Sequence, residues 1–177
     1  MEELCFYERQ RLSPWFIIIS LLLLIGATIV SLQGNVIALL IILVIVVTTI
    51  LLYFIFKMHT FIDENGLTIK MFPVIWKREH FAWDEIAGAY VRQYKPIMEY
   101  GGWGYRTNII KVKGVKFSLS RTPFHKEVAY NMQGNIGLQL ILKDGRKVLI
   151  GTQKPEEIEE LLDKLSLKGI VKKYVKD

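Results

Sequence analysis

Two long apolar runs near the start of the chain contain no charged residue. The first covers residues 15–32, 18 positions, and the second covers residues 36–56, 21 positions. As helices they would be roughly 27 and 32 Å long at 1.5 Å per residue, enough to cross a hydrocarbon core about 30 Å thick. Backbone groups in lipid must be hydrogen-bonded within the segment, which excludes open strands. The pattern therefore predicts a hairpin of two transmembrane helices over residues 15–56.

The flanks of this hairpin predict its orientation. Gln33, Gly34 and Asn35 separate the runs and favour a tight reversal, so an even number of crossings leaves both termini on one side. The uncharged turn contrasts with basic residues on the outer flanks, namely Arg9, Arg11, Lys57, Lys70, Lys77 and Arg78. The positive-inside rule then places both termini in the cytoplasm. We expect a multi-pass protein of the cell membrane, with residues 1–14 as a cytoplasmic tail.

Two alternatives to a simple anchor are weaker. A cleaved signal peptide would need a small-residue cleavage site after the first run, but a second apolar run follows at once. A conduction site would need polar groups along a pathway. The polar side chains available in the runs are hydroxyls, which are commonly tolerated in such helices by bonding to the backbone: Ser20, Thr28, Ser31, Thr48 and Thr49.

From residue 57 onward, short apolar runs alternate with turns. Asn65-Gly66 and Asp144-Gly145 are typical of tight hairpin turns, and Pro73 interrupts the start of the third run. The predicted strands are 58–63, 67–71, 74–81, 86–94, 109–112, 115–119, 136–142 and 147–150. Residues 95–106 and 120–135 show no periodicity and are predicted to be long loops.

A helix is predicted from Pro155 onward. Its apolar residues Ile158, Leu161, Leu162 and Leu165 follow i, i+3, i+4 and i+7 spacing, one stripe against a sheet. Glutamates crowd its first turns, where they complement the helix dipole and indicate a solvated face rather than catalytic carboxylates. Strands followed by one amphipathic helix predict a β-sandwich or partly open barrel capped by that helix.

Two segments carry a resemblance to a known family. One is Gly101, Gly102, Trp103 and Gly104 followed by Arg106, after a strand opening at residues 83–86. The other comprises Gly137, Leu138, Gln139, Leu140, Lys143, Asp144, Gly145, Arg146, Lys147, Ile150, Gly151, Thr152, Gln153, Lys154, Pro155, Glu156 and Glu157. Over residues 58–166 the chain resembles bacterial PH-like-domain membrane proteins, in which two N-terminal transmembrane helices precede a PH-like domain.

The resemblance implies a fold and no established activity. The fold is a seven-stranded PH-like domain with a C-terminal capping helix, here residues 57–166, followed by a basic tail at 167–177. Phosphoinositide-binding PH domains carry basic residues in the first hairpin loop, whereas this loop reads Asp63, Glu64, Asn65 and Gly66. That departure argues against inositol phosphate recognition through the usual site.

Charge suggests contact with a membrane surface. Residues 57–177 contain 21 Lys and Arg against 14 Asp and Glu, and a well-placed cation beside an anionic leaflet gains about 1 kcal/mol. The candidates are Lys57, Lys70, Lys77, Arg78, Lys172 and Lys173. Ordinary solvated lysines are an equal alternative. Nucleic acid is not an expected partner, because no recognition motif accompanies the charge.

The Gly101, Gly102, Trp103, Gly104 and Arg106 segment is the candidate binding site for a ligand or partner. Its glycines would let a backbone approach closely, Trp103 would offer a stacking surface and Arg106 an anion contact. The alternative is a structural loop whose glycines supply unusual dihedral angles and whose tryptophan packs beneath the sheet.

Other reactive groups form no recognisable constellation. The lone Cys5 cannot form an intramolecular disulfide; S-palmitoylation is conceivable, and a free thiol is the simpler interpretation. His59, His80 and His125 border different elements, and neither a nucleophile elbow nor a phosphate-binding loop is present. We therefore expect no enzyme activity, cofactor, metal or small-molecule substrate.

The expected function is that of a non-enzymatic interaction module on the cytoplasmic face. It would be anchored in the lipid bilayer and bind a protein partner or form a homo-oligomer. The alternative is a domain that recognises anionic lipid headgroups.

Overall fold

The computed structural model describes residues 4–31, 36–107 and 127–172, and the chain forms two compact units. One unit, Arg11–Lys57, is helical. The other joins Met1–Gln10 to Met58–Asp177 and contains the sheets. We call them the helical unit and the sheet unit.

The helical unit contains α1 (Trp15–Ser31) and α2 (Val36–Ile55), which pack against each other. Ala27 and Val46 are buried, while most of the large apolar side chains are exposed. Among the described helices, α2 is long and apolar enough to cross a bilayer, and α1 is apolar but shorter. The predicted reversal at residues 33–35 lies outside the described residues.

Hydroxyls in the helical unit bond to their own helix, as expected. Ser20 Oγ donates to the Phe16 carbonyl at 2.7 Å and Thr49 Oγ1 donates to the Ile45 carbonyl at 2.8 Å. These bonds give the hydroxyls a structural role.

The first sheet has the order β1-β2-β3-β4, with β1 (Phe6–Arg11), β2 (Lys57–Ile62), β3 (Gly66–Phe72) and β4 (Glu79–Ala82). The predicted hairpin between β2 and β3 is confirmed. Asp63 Oδ1 accepts the N–H groups of Asn65 and Gly66 at 2.8 and 3.0 Å, which fixes the turn. A Cβ on Gly66 would lie 2.4 Å from the Phe81 carbonyl oxygen, so this position requires glycine.

The second sheet follows a short 3₁₀ turn, Trp83–Glu85, and has the order β5-β8-β9-β7-β6. Its elements are β5 (Ile86–Gln93), α3 (Pro96–Tyr100), β6 (Gly104–Thr107), β7 (Glu127–Asn131), β8 (Ile136–Leu142) and β9 (Lys147–Gly151). β9 is antiparallel to β8 and parallel to β7, so it inserts between two strands that precede it in the chain.

The C-terminal helix α4 (Pro155–Leu167) follows the second sheet. Its predicted stripe is confirmed, because Ile158, Leu161, Leu162 and Leu165 are all buried. The helix packs against β5 and β8. The chain then turns back, and the Ala89 N–H donates to the Lys172 carbonyl at 3.1 Å.

Several sequence predictions were wrong in detail. Residues 74–78 do not belong to a strand, because the Ile75 N–H bonds back to the Met71 carbonyl and turns the chain; β4 begins only at Glu79. The predicted loop at 95–106 contains α3 and β6. The predicted loop at 120–135 contains β7, whose Ala129, Tyr130 and Asn131 are all buried, which removes the alternation that marks a strand.

Two further differences concern the strand inventory. The 1–14 segment, expected to be a tail, supplies β1. The resemblance implied seven strands, whereas the described residues contain nine. The predicted strands at 109–112 and 115–119 lie outside the described residues.

The sheet unit has two distinguishable ends. α1 and α2 pack side by side with four residues between them, so the start of α1 and the end of α2 lie together. β1 ends at Arg11, four residues before Trp15, and β2 begins at Lys57, two residues after Ile55. The end of β1 and the start of β2 are therefore held at one end of the first sheet, which we call the junction end. The opposite end, with the turns at 63–65 and 143–146, is the far end.

The junction end includes the corresponding end of the second sheet. Gln10 Nε2 donates to the Gly151 carbonyl at 2.7 Å, which places the end of β9 beside β1. Strand pairing brings the start of β8 and the end of β5 to the same edge. α3, which follows β5, therefore lies at the junction end.

Candidate binding surface

The predicted glycine segment lies at the junction end, between α3 and β6. Gly101 has φ 73° and ends α3 in the left-handed conformation, and Gly104 has φ 112°. Trp103 does not pack beneath the sheet. Its side chain is 47% exposed, and its Nε1 donates to the Gly134 carbonyl at 3.0 Å. Arg106 pairs with Ala129 in the β6–β7 ladder, so the segment combines structural glycines with an exposed tryptophan.

A buried amide holds this segment in place. The Gly104 N–H donates to Asn131 Oδ1 at 2.8 Å, and Asn131 Nδ2 donates to the Tyr94 hydroxyl at 3.1 Å. Both Asn131 and Tyr94 are buried. Because buried amides are costly to leave unpaired, this chain of bonds fixes where β6 starts relative to β5.

Arg92 links β5 to α3. Its guanidinium donates to Gln139 Oε1 at 2.9 Å and to the Tyr100 hydroxyl at 3.1 Å, and it lies 2.8 Å from Glu99 Oε2. Glu99 Oε1 in turn accepts the Lys95 N–H at 2.8 Å, at the N-terminus of α3. Burial raises the pKa of Tyr100 to about 12, although the neighbouring Arg92 charge opposes the shift. This cluster is a structural support for α3.

α3 itself presents apolar side chains to the outside. Ile97 and Met98 are 65% and 68% exposed, while Tyr100 on the same helix is buried. The signals for this helix were present in the sequence: Pro96 at its first position, Glu99 three residues later and Gly101 after its end. Five residues are too few to show a helical period.

A second exposed apolar group lies in the loop at 73–78, which we call the Trp76 loop. Trp76 is 75% exposed, and its ring meets the Phe72 ring edge-on at a centroid distance of 5.2 Å. Val74 is also exposed, as are Lys77 and Arg78. β3 runs back from the turn at 63–65 to the start of β2, so the Trp76 loop lies at the junction end.

The predicted basic contacts do not share one surface. Lys57, Lys77 and Arg78 lie at the junction end. Lys70 is half-buried within β3. Lys172 lines a groove at the far end, and Lys173 lies outside the described residues.

Sequence reasoning missed Glu8, a buried carboxylate on β1. It is 5% exposed; its Oε2 accepts the Thr152 hydroxyl at 2.6 Å and its Oε1 accepts the Gln153 N–H at 2.8 Å. Thr152 Oγ1 also accepts the Lys154 N–H at 3.0 Å, just before α4. The signal was weak: Phe6, Glu8 and Gln10 alternate with exposed Tyr7 and Arg9 as in a strand, but two of the inward residues are polar.

The far end carries a groove of about 590 Å³. It is lined by Trp83 and Asp84 from the 3₁₀ turn, Ile86 and Lys143 from the second sheet and the turn after β8, and Ile170 after α4. Trp83 Nε1 is held by the Asp63 carbonyl at 2.7 Å. Leu167, 89% exposed, lies at the end of α4 beside the groove residue Ser166.

The described histidines occur in separate strand pairs. His59 Nδ1 lies 2.7 Å from the Tyr7 hydroxyl and His80 Nδ1 lies 2.9 Å from Thr68 Oγ1. His125 and the serines at 118 and 120 lie outside the described residues. Within residues 4–31, 36–107 and 127–172, no cluster of three or more His, Cys, Asp or Glu side chains could hold a metal.

Comparisons with protein-family models, with curated proteins and with solved structures gave no match for this chain.

Proposed function

We propose that this chain is a membrane-anchored, non-enzymatic interaction module. The helical unit would be its bilayer anchor, with both termini in the cytoplasm, and the sheet unit a PH-like domain that binds a protein partner or a second copy. The C-terminal helix packed on a sheet supports the PH-like assignment. The inserted position of β9 is a departure from a simple up-and-down arrangement.

One observation carries the anchoring proposal. The strand that precedes α1 is β1, and the strand that follows α2 is β2. These two strands are neighbours in one sheet. The helical unit is thus an insertion into a folded domain that is attached at both of its ends. Its exposed Leu, Ile and Val side chains need an apolar environment, which a bilayer supplies.

The far end supports binding of a protein partner. It lies opposite the two connections to the helical unit, and it combines an open groove with the exposed Leu167. Interfaces commonly centre on apolar and aromatic side chains within a polar rim. The exposed Leu167 and the partly exposed Ile170, with Lys143 and Asp84 also lining the groove, fit that description.

Membrane topology can be tested with impermeant thiol labelling of intact cells. In a Cys5→Ser background, Asp144→Cys at the far end should be labelled only after the membrane is permeabilised, and the protein should remain in the membrane fraction after alkaline extraction. Labelling in intact cells, or release by alkali, would overturn the proposal.

Partner binding can be tested with a photo-crosslinking amino acid in place of Leu167, compared with the same substitution at Glu159 on the exposed face of α4. We expect a discrete adduct, either with one cellular protein or with a second copy, at position 167 and a much weaker one at 159. Equal labelling at both positions, or none at either, contradicts a binding role for the far end.

A further inference from the structure

The junction end gathers two exposed apolar groups that the proposed function does not use. Val74 and Trp76 belong to the Trp76 loop, and Ile97 and Met98 belong to α3. The first group follows β3 and the second follows β5, so they arise from different sheets. Exposed side chains of this size occur singly on many proteins. Here, however, two such groups lie at the junction end, where the chain continues into α1 and α2. A common role would explain why both are exposed at this end.

The location of these groups follows from contacts within the sheet unit. The Tyr130 hydroxyl, near the end of β7, donates to Glu79 at the start of β4, which joins the two sheets at this end. Gln10 makes the second link through its bond to the Gly151 carbonyl. Arg11 and Lys57, the two exits to the helical unit, belong to the same end.

The chemistry of the Trp76 loop matches a lipid headgroup region. Tryptophan is favoured at membrane interfaces because its large apolar ring carries one polar N–H. The loop places two cations, Lys77 and Arg78, directly after Trp76, and each well-placed cation gains about 1 kcal/mol beside anionic lipid. The Trp76 ring contacts the Phe72 ring and is still 75% exposed, so it is available to an apolar surface.

We propose that the Trp76 loop and α3 form a lipid-contact surface that rests in the interfacial layer of an anionic bilayer. The proposal rests on the proposed function, since it takes that bilayer to be the one that holds α1 and α2.

Nitroxide labels on the full-length protein test this surface. Single cysteines in a Cys5→Ser background are placed at Val74 and Met98, with Asp144→Cys as the aqueous control and Val44→Cys in α2 as the membrane control. The protein is reconstituted in vesicles of phosphatidylcholine and phosphatidylglycerol. Accessibility to oxygen, which partitions into lipid, is compared with accessibility to a water-soluble nickel chelate.

We expect the oxygen-to-nickel ratio at positions 74 and 98 to be severalfold higher than at 144. If 74 and 98 resemble 144 while 44 is lipid-exposed, the contact surface is wrong and the anchor stands. If 44 is also water-exposed, the proposed function itself fails. Dipolar broadening between labels at 74 or 98 would assign this surface to a second copy, which also overturns the lipid contact.

The contribution of Lys77 and Arg78 to lipid contact can be tested separately. In the V74C protein, the oxygen-to-nickel ratio should be higher in vesicles that contain phosphatidylglycerol than in vesicles of phosphatidylcholine alone. Adding Lys77→Gln and Arg78→Gln should abolish this difference. A double substitution at Lys143 and Lys147 on the far end, both to Gln, is the matched control and should leave the increase unchanged. If both pairs have the same effect, the contribution of the loop cations is refuted. Unchanged thermal unfolding of each variant shows that the sheet unit remains folded.

Discussion

At the scale of single residues, Arg92 carries more structural connections than its place in the sequence suggests. It joins β5, β8 and α3 through Gln139, Glu99 and Tyr100, and its side chain is 16% exposed. The sequence reasoning did not single it out, because an arginine in a predicted strand looks like an ordinary solvated residue. Its neighbours come from positions 7 to 47 residues away and become visible only in the fold.

Replacing Arg92 with alanine should destabilise the sheet unit by about 2 kcal/mol, because hydrogen bonds to charged groups are worth about 1.5–3 kcal/mol and their partners would be left buried. The measurement is urea unfolding of the reconstituted full-length protein followed by tryptophan fluorescence. Arg146→Ala is the matched control, since its ion pair with Asp144 is exposed and such pairs contribute about 0–1 kcal/mol. Equal losses for the two variants would show that Arg92 is not a structural hub.

The buried tyrosines predict a loss of stability at high pH. Burial raises the pKa of Tyr100 to about 12, and it also raises the pKa of Tyr94. The unfolded chain releases these protons near pH 10, so between about pH 10 and 12 the unfolded state binds fewer protons than the folded state and stability falls. Below pH 10 the stabilising contribution of these tyrosines is fully present.

Unfolding midpoints measured at pH 8 and pH 11 test this effect. Tyr100→Phe should show a smaller drop between the two values than the wild type, because one titrating group is gone. Tyr7→Phe is the control on an exposed tyrosine and should leave the drop unchanged. A wild-type protein whose midpoint is the same at both values contradicts the prediction.

At the scale of elements, the sequence predicted correctly those turns, strands and helices that are formed by residues close together in the chain. The Asp63 and Asp144 turns, the strands next to them and the stripe of α4 need only neighbouring residues to form. β7 and α3 were missed for different reasons. β7 is covered on both faces and shows no alternation, and α3 is one turn and a half long.

Binding by the predicted 101–106 segment stays a prediction. The glycines of the 101–104 segment have the unusual dihedral angles of the structural alternative, whereas Trp103 is exposed and does not pack beneath the sheet as that alternative expected. The Trp76 loop was read as a strand because Val74, Ile75 and Trp76 have high strand propensity. The grouping of loop and α3 at one end depends on strand order, which no local pattern encodes.

β1 is attached to the segment before α4 through the Glu8 side chain. Glu8→Ala should cost about 2–3 kcal/mol, because the Thr152 hydroxyl and the Gln153 N–H would lose a charged acceptor. Hydrogen exchange should accelerate in residues 6–11 and 152–154. Arg9→Ala on the exposed face of the same strand should leave exchange unchanged. Protection that persists in E8A would mean that β1 is held by its strand pairing alone.

At the scale of the whole molecule, the sheet unit is discontinuous in sequence, and this makes a prediction about fragments. A fragment that begins at residue 57 lacks β1, so it exposes the edge of β2 and loses the buried Leu4 and Phe6 together with the bonds of Glu8 and Gln10. An exposed strand edge also invites aggregation.

A chain in which residues 1–11 are joined to residues 57–177 by a flexible Gly/Ser linker keeps the complete sheet and replaces the helical unit. We expect this linked chain to be soluble and to unfold at a clearly higher temperature than residues 57–177 alone. The difference should disappear when Glu8→Ala and Gln10→Ala are introduced into the linked chain, because those side chains fasten β1 to the β9–α4 connection. If both chains unfold at the same temperature, β1 contributes nothing to the sheet unit. The connection of the helical unit to both β1 and β2 would then follow from the order of the elements in the chain and would not contribute to the stability of the fold.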